Sequence, residues 1–246
     1  MPKRFSIMTY NVHSCIGRDG KASSERIAEI IALYGADIIC LQELDSGLLR
    51  SGLENQAREI ADRLNMEFHF HPSLRVEEGE YGNAVLTRFP SEAVKAAGLP
   101  TLPGRTYREQ RGGLWIRVRV DGTELNVVTT HLGLSSSERV AQAEDLVGPG
   151  WLGSPACARP VVLCGDLNTV PLFGVYRRFA AVLADASSSV GWGRGRTYPS
   201  SFPVLRLDHV FLSSDIEVEQ VMVPWTKLTR MASYHLPLIA TLSIKT

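Results

Sequence analysis

Six apolar, strand-like segments of the sequence each end in polar side chains that are suited to bind a metal ion or a phosphate group. In chain order these side chains are Asn11 with His13, Gln42 with Glu43, His131, Asp166 with Asn168, Asp208 and His235. A single polar residue at a strand end is usually a solvated surface residue. Six such ends are harder to explain in that way, because the strands of one sandwich can bring their ends to a common rim.

The residue types fit the chemistry of a hard divalent cation and a phosphoryl group. Carboxylate and amide oxygens suit Mg²⁺ or Mn²⁺, which prefer oxygen ligands. The sequence contains no HxxxH motif, and its four cysteines have no CxxC spacing, so a zinc site is disfavoured. Two histidines with an Asp and an Asn could hold a phosphoryl group and orient an attacking water molecule.

The elements that must position these residues are mainly short, β-branched strands with turn residues between them. Strands are predicted at 5–11, 37–41, 67–70, 83–87, 114–120, 125–130, 160–164, 207–212, 216–222 and 237–244. Asp121-Gly122 between two of these runs predicts a two-residue hairpin turn. Loops are expected at 73–81, 101–113 and 187–205.

Helical periodicity predicts four helices. The first covers residues 27–34, with Ser23 or Ser24 as its N-cap and Gly35 as its stop, and others lie at 56–65 and 175–183. Ser135 with Glu138 predicts a capping box that opens another helix, which runs through position 147. Many strands, few helices and a hairpin favour an α+β fold of two mainly antiparallel sheets, packed face to face with helices outside.

The bulk properties are those of a globular enzyme or binding protein. The 246 residues show no shift in composition, so a single domain over 1–246 is expected. A net charge of zero argues mildly against avid non-specific binding to nucleic acid, although a local basic patch could coexist with it. No apolar run is long enough to cross a bilayer, and the N-terminus has no signal-peptide pattern. We therefore expect a cytoplasmic monomer without membrane insertion.

An ordered series of motifs runs through nearly the whole chain, from about Phe5 to Ile244. The series "TYNVH", "LQEL", "YGNAVLTRFP", "TTHLGL", "GDLN", "RLDHVFLS" and "HLPL" resembles the endonuclease/exonuclease/phosphatase superfamily, which has the pancreatic-deoxyribonuclease-like fold. It looks most like small bacterial members of that superfamily. The resemblance implies a four-layered α/β/β/α sandwich and divalent-metal-dependent hydrolysis of a phosphoester.

Carried over position by position, the resemblance also implies a metal site. Glu43 would be the principal ligand of Mg²⁺ or Mn²⁺, with Asn11 nearby. Asp166 would orient or deprotonate the attacking water. Asn168 would bind the phosphate and hold that geometry.

The remaining motifs imply residues that contact the phosphate. His235 would stabilise the charge of the scissile phosphate or take part in proton transfer, and Asp208 would fix its ring. His131 matches a second histidine that contacts phosphate. Asn83 and Arg111 are weaker candidates for substrate contact, since Arg111 could equally be a solvated loop charge.

One position departs from the family pattern. The last motif usually reads Ser-Asp-His, whereas this chain has Ser233-Tyr234-His235. Losing one anionic group should weaken the attraction of Mg²⁺. Weaker metal binding, a different substrate pose and a catalytically weak phosphate- or nucleic-acid-binding module all remain open. A working enzyme is favoured because the other motif residues are present.

The sequence does not decide which phosphoester is the substrate. Residues 187–205 contain aromatic and arginine residues that could stack on a base and bind phosphates, or meet a lipid headgroup. The same composition also suits an ordered loop that is packed by its own side chains. Nucleic acid and phospholipid or small phosphate esters, and diesters and monoesters, therefore all remain open.

Overall fold

A computed structural model describes residues 3–102, 109–190 and 195–245. The strands of these residues are β1 (Lys3–Asn11), β2 (Ile38–Ser46), β3 (Glu67–Val76), β4 (Gly79–Thr87), β5 (Ser91–Gly98), β6 (Gly112–Val120), β7 (Thr123–His131), β8 (Val161–Asp166), β9 (Ala184–Asp185), β10 (Asp208–Leu212), β11 (Ile216–Met222) and β12 (Leu238–Ile244). The helices are α1 (Ser24–Tyr34), α2 (Gln56–Leu64), α3 (Ser136–Val147), α4 (Gly174–Ala180) and α5 (Lys227–Ala232). Short 3₁₀ turns lie at His13–Cys15, Leu49–Ser51 and Ala186–Val190.

The strands form two six-stranded sheets, with the orders β11-β12-β1-β2-β4-β3 and β5-β6-β7-β8-β10-β9. Each sheet contains one parallel pair, β1 with β2 and β7 with β8, and the other pairs are antiparallel. Apolar side chains from both sheets fill the space between them. The predicted sandwich of two mainly antiparallel sheets is therefore confirmed.

Helices cover the outer faces of both sheets and complete four layers. Apolar residues of α1, α2 and α5 pack on the outer face of the first sheet. Those of α3 and α4 pack on the outer face of the second sheet. No helix among the described residues is both long enough and apolar enough to span a membrane.

Several local sequence signals act as predicted. Ser23 caps α1 by accepting from the Arg26 backbone N–H, and Gly35 ends the helix in the left-handed conformation. Asp121 and Gly122 both have positive φ in the tight turn between β6 and β7, as that hairpin turn requires.

Other local predictions are wrong. Much of the loop expected at 73–81 is instead a hairpin of β3 and β4, joined by two residues after Val76. The capping box at α3 is absent, because Ser135 makes no side-chain cap and its hydroxyl lies 3.1 Å from that of Ser137. Strands β5 and β9 and helix α5 were not predicted. Parts of the expected loops at 101–113 and 187–205 lie outside the described residues.

Strand register brings the motif residues to one edge of the sandwich. The parallel strands β1 and β2 end together, with Asn11 beside Gln42. In the second sheet His131 is paired with Asp166, and Asp166 is paired with Asp208 from the antiparallel strand β10. Both parallel pairs therefore present their carboxyl ends at the edge where β10 begins.

Candidate active site

The carboxylate of Asp166 lies at the centre of a buried polar cluster at this edge. Its Oδ2 atom accepts a hydrogen bond from Nδ2 of Asn11 at 3.0 Å. The same oxygen lies 3.5 Å from Nε2 of His131 and 3.6 Å from Nε2 of His235. Its Oδ1 atom accepts from the backbone N–H of Asn168 at 2.9 Å. Residues from four separate strand ends thus meet at one side chain.

Glu43 enters the cluster from a bulge in β2. The register between β2 and β4 shifts between Leu41 and Leu44, and Glu43 has a φ of 62°. A bulge re-aims a side chain, and a positive φ in a non-glycine residue is a conformation that surrounding structure must hold. Glu43 accepts from Nδ2 of Asn11 at 2.8 Å, so one amide group joins Glu43 and Asp166.

Burial opposes ionisation of Glu43, but the hydrogen bond from His13, the electrostatic effect of His131 and the hydrogen bond from Asn11 together outweigh it. His13 and Asn11 both contact the carboxylate, and the pKa of Glu43 is held well below its usual range. The amide oxygen of Asn11 accepts from the backbone N–H of His13 at 3.1 Å. In this arrangement Asn11 presents its nitrogen, and not its oxygen, to the two carboxylates.

His131 is a buried, neutral histidine between Arg111 and Asn168. Burial and the neighbouring Arg111 charge lower its pKa well below the ordinary value. Nη1 of Arg111 lies 2.8 Å from Nδ1 of His131. Arginine can only donate, so Nδ1 accepts and the ring proton is on Nε2, which faces Asp166. Nδ2 of Asn168 donates to the carbonyl of Leu132 at 2.9 Å, and its 3.0 Å approach to Nε2 is a close contact between two N–H groups rather than a hydrogen bond.

His235 and Asp208 form a buried ion pair. Nδ1 of His235 lies 2.8 Å from Oδ2 of Asp208, and both residues are almost completely buried. Burial alone would lower the pKa of His235, but Asp208, Asp166 and Glu43 outweigh it and raise the pKa to about 9. His235 is therefore an imidazolium at neutral pH, fixed by one carboxylate and facing another.

The donor set fits a hard divalent cation. Ligand atoms of Asp166, Asp208 and His235 lie within 4.8 Å of one another, and because His235 is protonated, only the carboxylate oxygens of this group are free to bind a cation. Burial and the adjacent Asp208 charge raise the pKa of Asp166, and Oδ1 of Asp208 is buried without a hydrogen-bond partner. Several carboxylates crowded in a dry site are stabilised by a cation that binds oxygen ligands.

The backbone after β8 is shaped to bring Asp166 and Asn168 inward. Gly165 has a φ of 146°, and a Cβ atom there would lie 1.9 Å from the carbonyl oxygen of Thr130. Only glycine allows β8 to approach β7 this closely. Asn168 has a φ of 48°, a conformation that Asn adopts more readily than most residues. The following residue, Thr169, is tied through its carbonyl to Nε2 of His209 at 2.9 Å.

The two expected substrate-contacting residues, Arg111 and Asn83, are both buried but contact different groups. Arg111 is buried rather than solvated, and it joins His131 to Glu109 through Nη1 at 2.8 and 2.9 Å. Asn83 is also buried, but its amide donates to the carbonyl of Gly112 at 3.2 Å, next to Arg111. The structure thus brings Arg111 into the cluster and places Asn83 behind it. The roles of both in substrate binding stay predictions.

Three side chains at the cluster were not among the predicted site residues. His13 contacts Glu43, and Glu109 contacts Arg111. Tyr81 is buried with its hydroxyl close to Glu43 and Glu109, and burial and these carboxylates raise its pKa. Tyr81 and His13 both belong to quoted motifs, "YGN" and "TYNVH", but the sequence does not show which way their rings point.

The departure at Tyr234 is visible in the geometry. Its side chain is 42% exposed, and its ring meets that of His13 edge-on, with centroids 4.7 Å apart. His13 in turn lies 3.2 Å from Oε2 of Glu43. Tyr234 therefore contacts the cluster indirectly, through His13, and brings no charge to it.

Comparisons with known proteins agree with this architecture. Residues 8–235 match the model of the Endonuclease/Exonuclease/phosphatase family. The chain belongs to this family.

Several known proteins can be aligned with nearly the whole length of this chain. "Uncharacterized protein YbhP" of Escherichia coli (strain K12) is 27% identical over 247 residues, covering 96% of this chain and 95% of that protein. The human Nocturnin catalytic domain with bound sulfate anion has a TM-score of 0.74 at 22% identity, covering 98% of this chain and 94% of that one. A mannosyl-6-phosphatase from Bacteroides thetaiotaomicron has a TM-score of 0.76 at 18% identity, covering 97% and 99%. At these identities the two structures show the shared fold.

Proposed function

We propose that the protein is a divalent-metal-dependent phosphoester hydrolase, with Asp166, Asn168, His235, His131 and Asp208 as its catalytic residues. The observation that carries this proposal is the meeting of Glu43, Asp166 and His235 around a single buried point. These residues are distant in sequence, and a purely structural role would not require three ionisable groups to converge there.

Asp166 is proposed to hold and activate the attacking water. Its carboxylate is fixed by Asn11 and by the backbone N–H of Asn168. Burial and Asp208 raise its pKa, which makes it a better proton acceptor than an exposed aspartate. A water hydrogen-bonded to Asp166 would lie beside the Nε2 atoms of both site histidines.

His235 is proposed to stabilise the negative charge that develops on the phosphoryl group. Its pKa of about 9 keeps it protonated at neutral pH. Asp208 orients the ring through Nδ1, so the Nε2 proton faces the reaction centre. A preorganised donor in a water-poor site is worth more than the same donor in water.

His131 and Asn168 are proposed to contact the phosphate from the side opposite Asp208. Arg111 accounts for the tautomer of His131, because it donates to Nδ1 and leaves the proton on Nε2. Arg111 and Asn83 are proposed as residues that support or contact the substrate on this side.

Glu43 and Asn11 are proposed to hold Mg²⁺ or Mn²⁺. When bound, such an ion supplies charge neutralisation for the phosphoryl oxygens. Asn11 would have to turn its amide oxygen toward the ion, whereas in the structure its nitrogen joins Glu43 and Asp166. That amide rotation is within the freedom of an asparagine side chain.

The substrate class stays broad. Nocturnin with a sulfate anion and a mannosyl-6-phosphatase are structural neighbours, and both names are compatible with a phosphoester or phosphate-like group at this fold's active site. Nucleic acid and phospholipid or small phosphate esters are both retained as proposed substrates. The enzyme is proposed to act as a single domain over residues 1–246 and as a cytoplasmic monomer.

The function is tested with bis-p-nitrophenyl phosphate in the presence of Mg²⁺ or Mn²⁺. The proposal predicts turnover that EDTA abolishes and that a second addition of metal restores. Screening plasmid DNA, lysophospholipids and inositol phosphates under the same conditions would identify the substrate class.

A catalytically weak phosphate- or nucleic-acid-binding module is the second candidate. The observation that favours it is Tyr234, which stands where the family usually has an acidic residue. This candidate predicts binding of phosphate esters without turnover of any ester with any divalent metal.

A further inference from the structure

The turn after β1 holds three consecutive non-glycine residues in the left-handed region of backbone conformation. His13, Ser14 and Cys15 have φ values of 49°, 54° and 54°. Such residues are uncommon singly, and each costs roughly 1–3 kcal/mol when it is held in a sparsely populated conformation. A run of three persists only where the surrounding structure fixes it, and such strain is found mainly at functional sites.

Buried hydrogen bonds fix this turn from behind. The hydroxyl of Ser14 donates to Oδ1 of Asp45 at 2.9 Å, and Gln56 donates to the carbonyl of Ser14 at 2.6 Å. Gln56 also accepts from the backbone N–H of Asp45 at 2.8 Å. These contacts bury Ser14 and Cys15, while the ring of His13 is left at the surface. The strained turn therefore presents His13.

The ring of His13 is oriented by two further contacts. Nδ1 lies 3.2 Å from Oε2 of Glu43, and the edge-on ring of Tyr234 packs against it. An ionised carboxylate only accepts hydrogen bonds, so Nδ1 carries the proton. The other ring nitrogen, Nε2, has no hydrogen-bond partner among the described residues. About half of the side chain is exposed, at 48%.

We propose that His13 is a further substrate-contacting residue, whose Nε2 forms a hydrogen bond with a hydroxyl group of the alcohol esterified to the phosphate. This inference rests on the proposed hydrolase function and deepens it. It makes the preferred substrate an ester of a hydroxylated alcohol, of the sugar or glycerol type, rather than of an alkyl alcohol. Glu43 and Tyr234 then act as positioning residues for the His13 ring.

The test compares two synthetic diesters with the same leaving group. p-Nitrophenyl glyceryl phosphate and p-nitrophenyl propyl phosphate differ in the hydroxyl groups of the alcohol that stays on the phosphate. The wild-type protein with Mg²⁺ at pH 8 should prefer the glyceryl ester in kcat/KM by about tenfold, the size expected of one good neutral hydrogen bond. A substitution that lowers kcat/KM for both esters equally leaves the ratio of the two kcat/KM values unchanged.

His13→Asn is the informative variant. Asparagine tolerates positive φ, so the turn is kept, and its amide nitrogen reaches the position of Nδ1 and keeps the bond to Glu43. It lacks any atom at the position of Nε2, so the preference for the glyceryl ester should fall below about twofold. His69→Asn makes the same change at a histidine on β3 that bonds to Ser91, and it should keep the wild-type ratio.

The possible results distinguish a failure of the proposed role of His13 from a failure of the proposed hydrolase function. If the wild-type protein cleaves both esters but shows no preference, or if His13→Asn keeps the preference, the role of His13 is wrong and the hydrolase function stands. If the wild-type protein cleaves neither ester but cleaves another phosphoester, only the role of His13 is wrong, and if it cleaves no phosphoester with Mg²⁺ or Mn²⁺, both proposals fail together. A reduced ratio in His69→Asn as well would show a general structural effect and would also overturn the inference.

Discussion

The ring of His235 bridges two carboxylates, with Nδ1 lying 2.8 Å from Oδ2 of Asp208 and Nε2 lying 3.6 Å from Oδ2 of Asp166. Asp208 fixes the ring from behind, and Asp166 lies on the reaction side. This relationship accounts for the high pKa of His235, because a buried imidazolium needs neighbouring negative charge.

Asp208→Asn should shift the alkaline limb of the pH–rate profile. With Asp208 present, the pKa of His235 is about 9, so activity that needs the imidazolium falls only above that pH. Asparagine removes the negative charge that stabilises the His235 imidazolium against the effect of burial. The pKa of His235 should therefore fall, and the alkaline limb should move to lower pH, toward the ordinary histidine value of about 6.5. The profile of kcat/KM for bis-p-nitrophenyl phosphate measures this, and an unmoved limb would show that His235 is not the titrating group.

The same ion pair should make stability depend on pH. The folded-state pKa of His235 lies above its unfolded value, so its contribution is fully present below about pH 6.5 and is lost as the pH rises through about 9. The free energy of unfolding of the wild-type protein should exceed that of His235→Gln by up to about 3 kcal/mol at pH 6. Urea unfolding at pH 6 and pH 9.5 checks this, since the difference should shrink at the higher pH.

Tyr234→Asp should tighten the binding of Mg²⁺. Tyr234 contacts His13 and carries no charge, whereas an aspartate would add an anion at the edge of the carboxylate cluster. The Mg²⁺ concentration that gives half-maximal activity should fall several-fold. Tyr234→Asn, which has the same size without the charge, is the matched control. Identical metal-dependence curves for the wild-type protein and Tyr234→Asp would show that this position does not affect the metal.

Gly165→Ala should destabilise the fold strongly. A Cβ atom would lie 1.9 Å from the carbonyl oxygen of Thr130, which belongs to the backbone and cannot move aside. We expect a loss of at least about 3 kcal/mol in the free energy of unfolding, or no folded protein. Gly174→Ala is the control, because its Cβ would meet only the flexible end of Arg178 at 3.3 Å. Equal melting temperatures for both variants would contradict the close approach of β8 to β7.

Much of the fold could be predicted from the sequence because its signals are local. Ser23 and Gly35 mark both ends of α1, and Asp121-Gly122 marks a hairpin. Strand β5 was missed because it is an exposed edge strand with alanines at its centre, and its pairing with β6 overrides its weak propensity. The β3–β4 hairpin was missed because its turn contains Glu77 with positive φ, where glycine or asparagine is the usual signal.

The candidate site was predictable in its membership but not in its geometry. The motifs name Glu43, Asp166 and His235, and the strand register then brings them together. The bulge that turns Glu43 inward and the strained turn that presents His13 depend on contacts between distant segments. No local pattern encodes such contacts, so these two features could only be found in the folded chain.

The most direct measurement is the hydrolysis of bis-p-nitrophenyl phosphate with Mg²⁺ by the wild-type protein, Asp166→Asn and His235→Gln, with folding checked by thermal melting. One shared site predicts EDTA-sensitive turnover that falls by at least about 100-fold in each folded variant. Folded variants that keep wild-type rates would contradict the account, because Asp166 and His235 would then take no part in the chemistry.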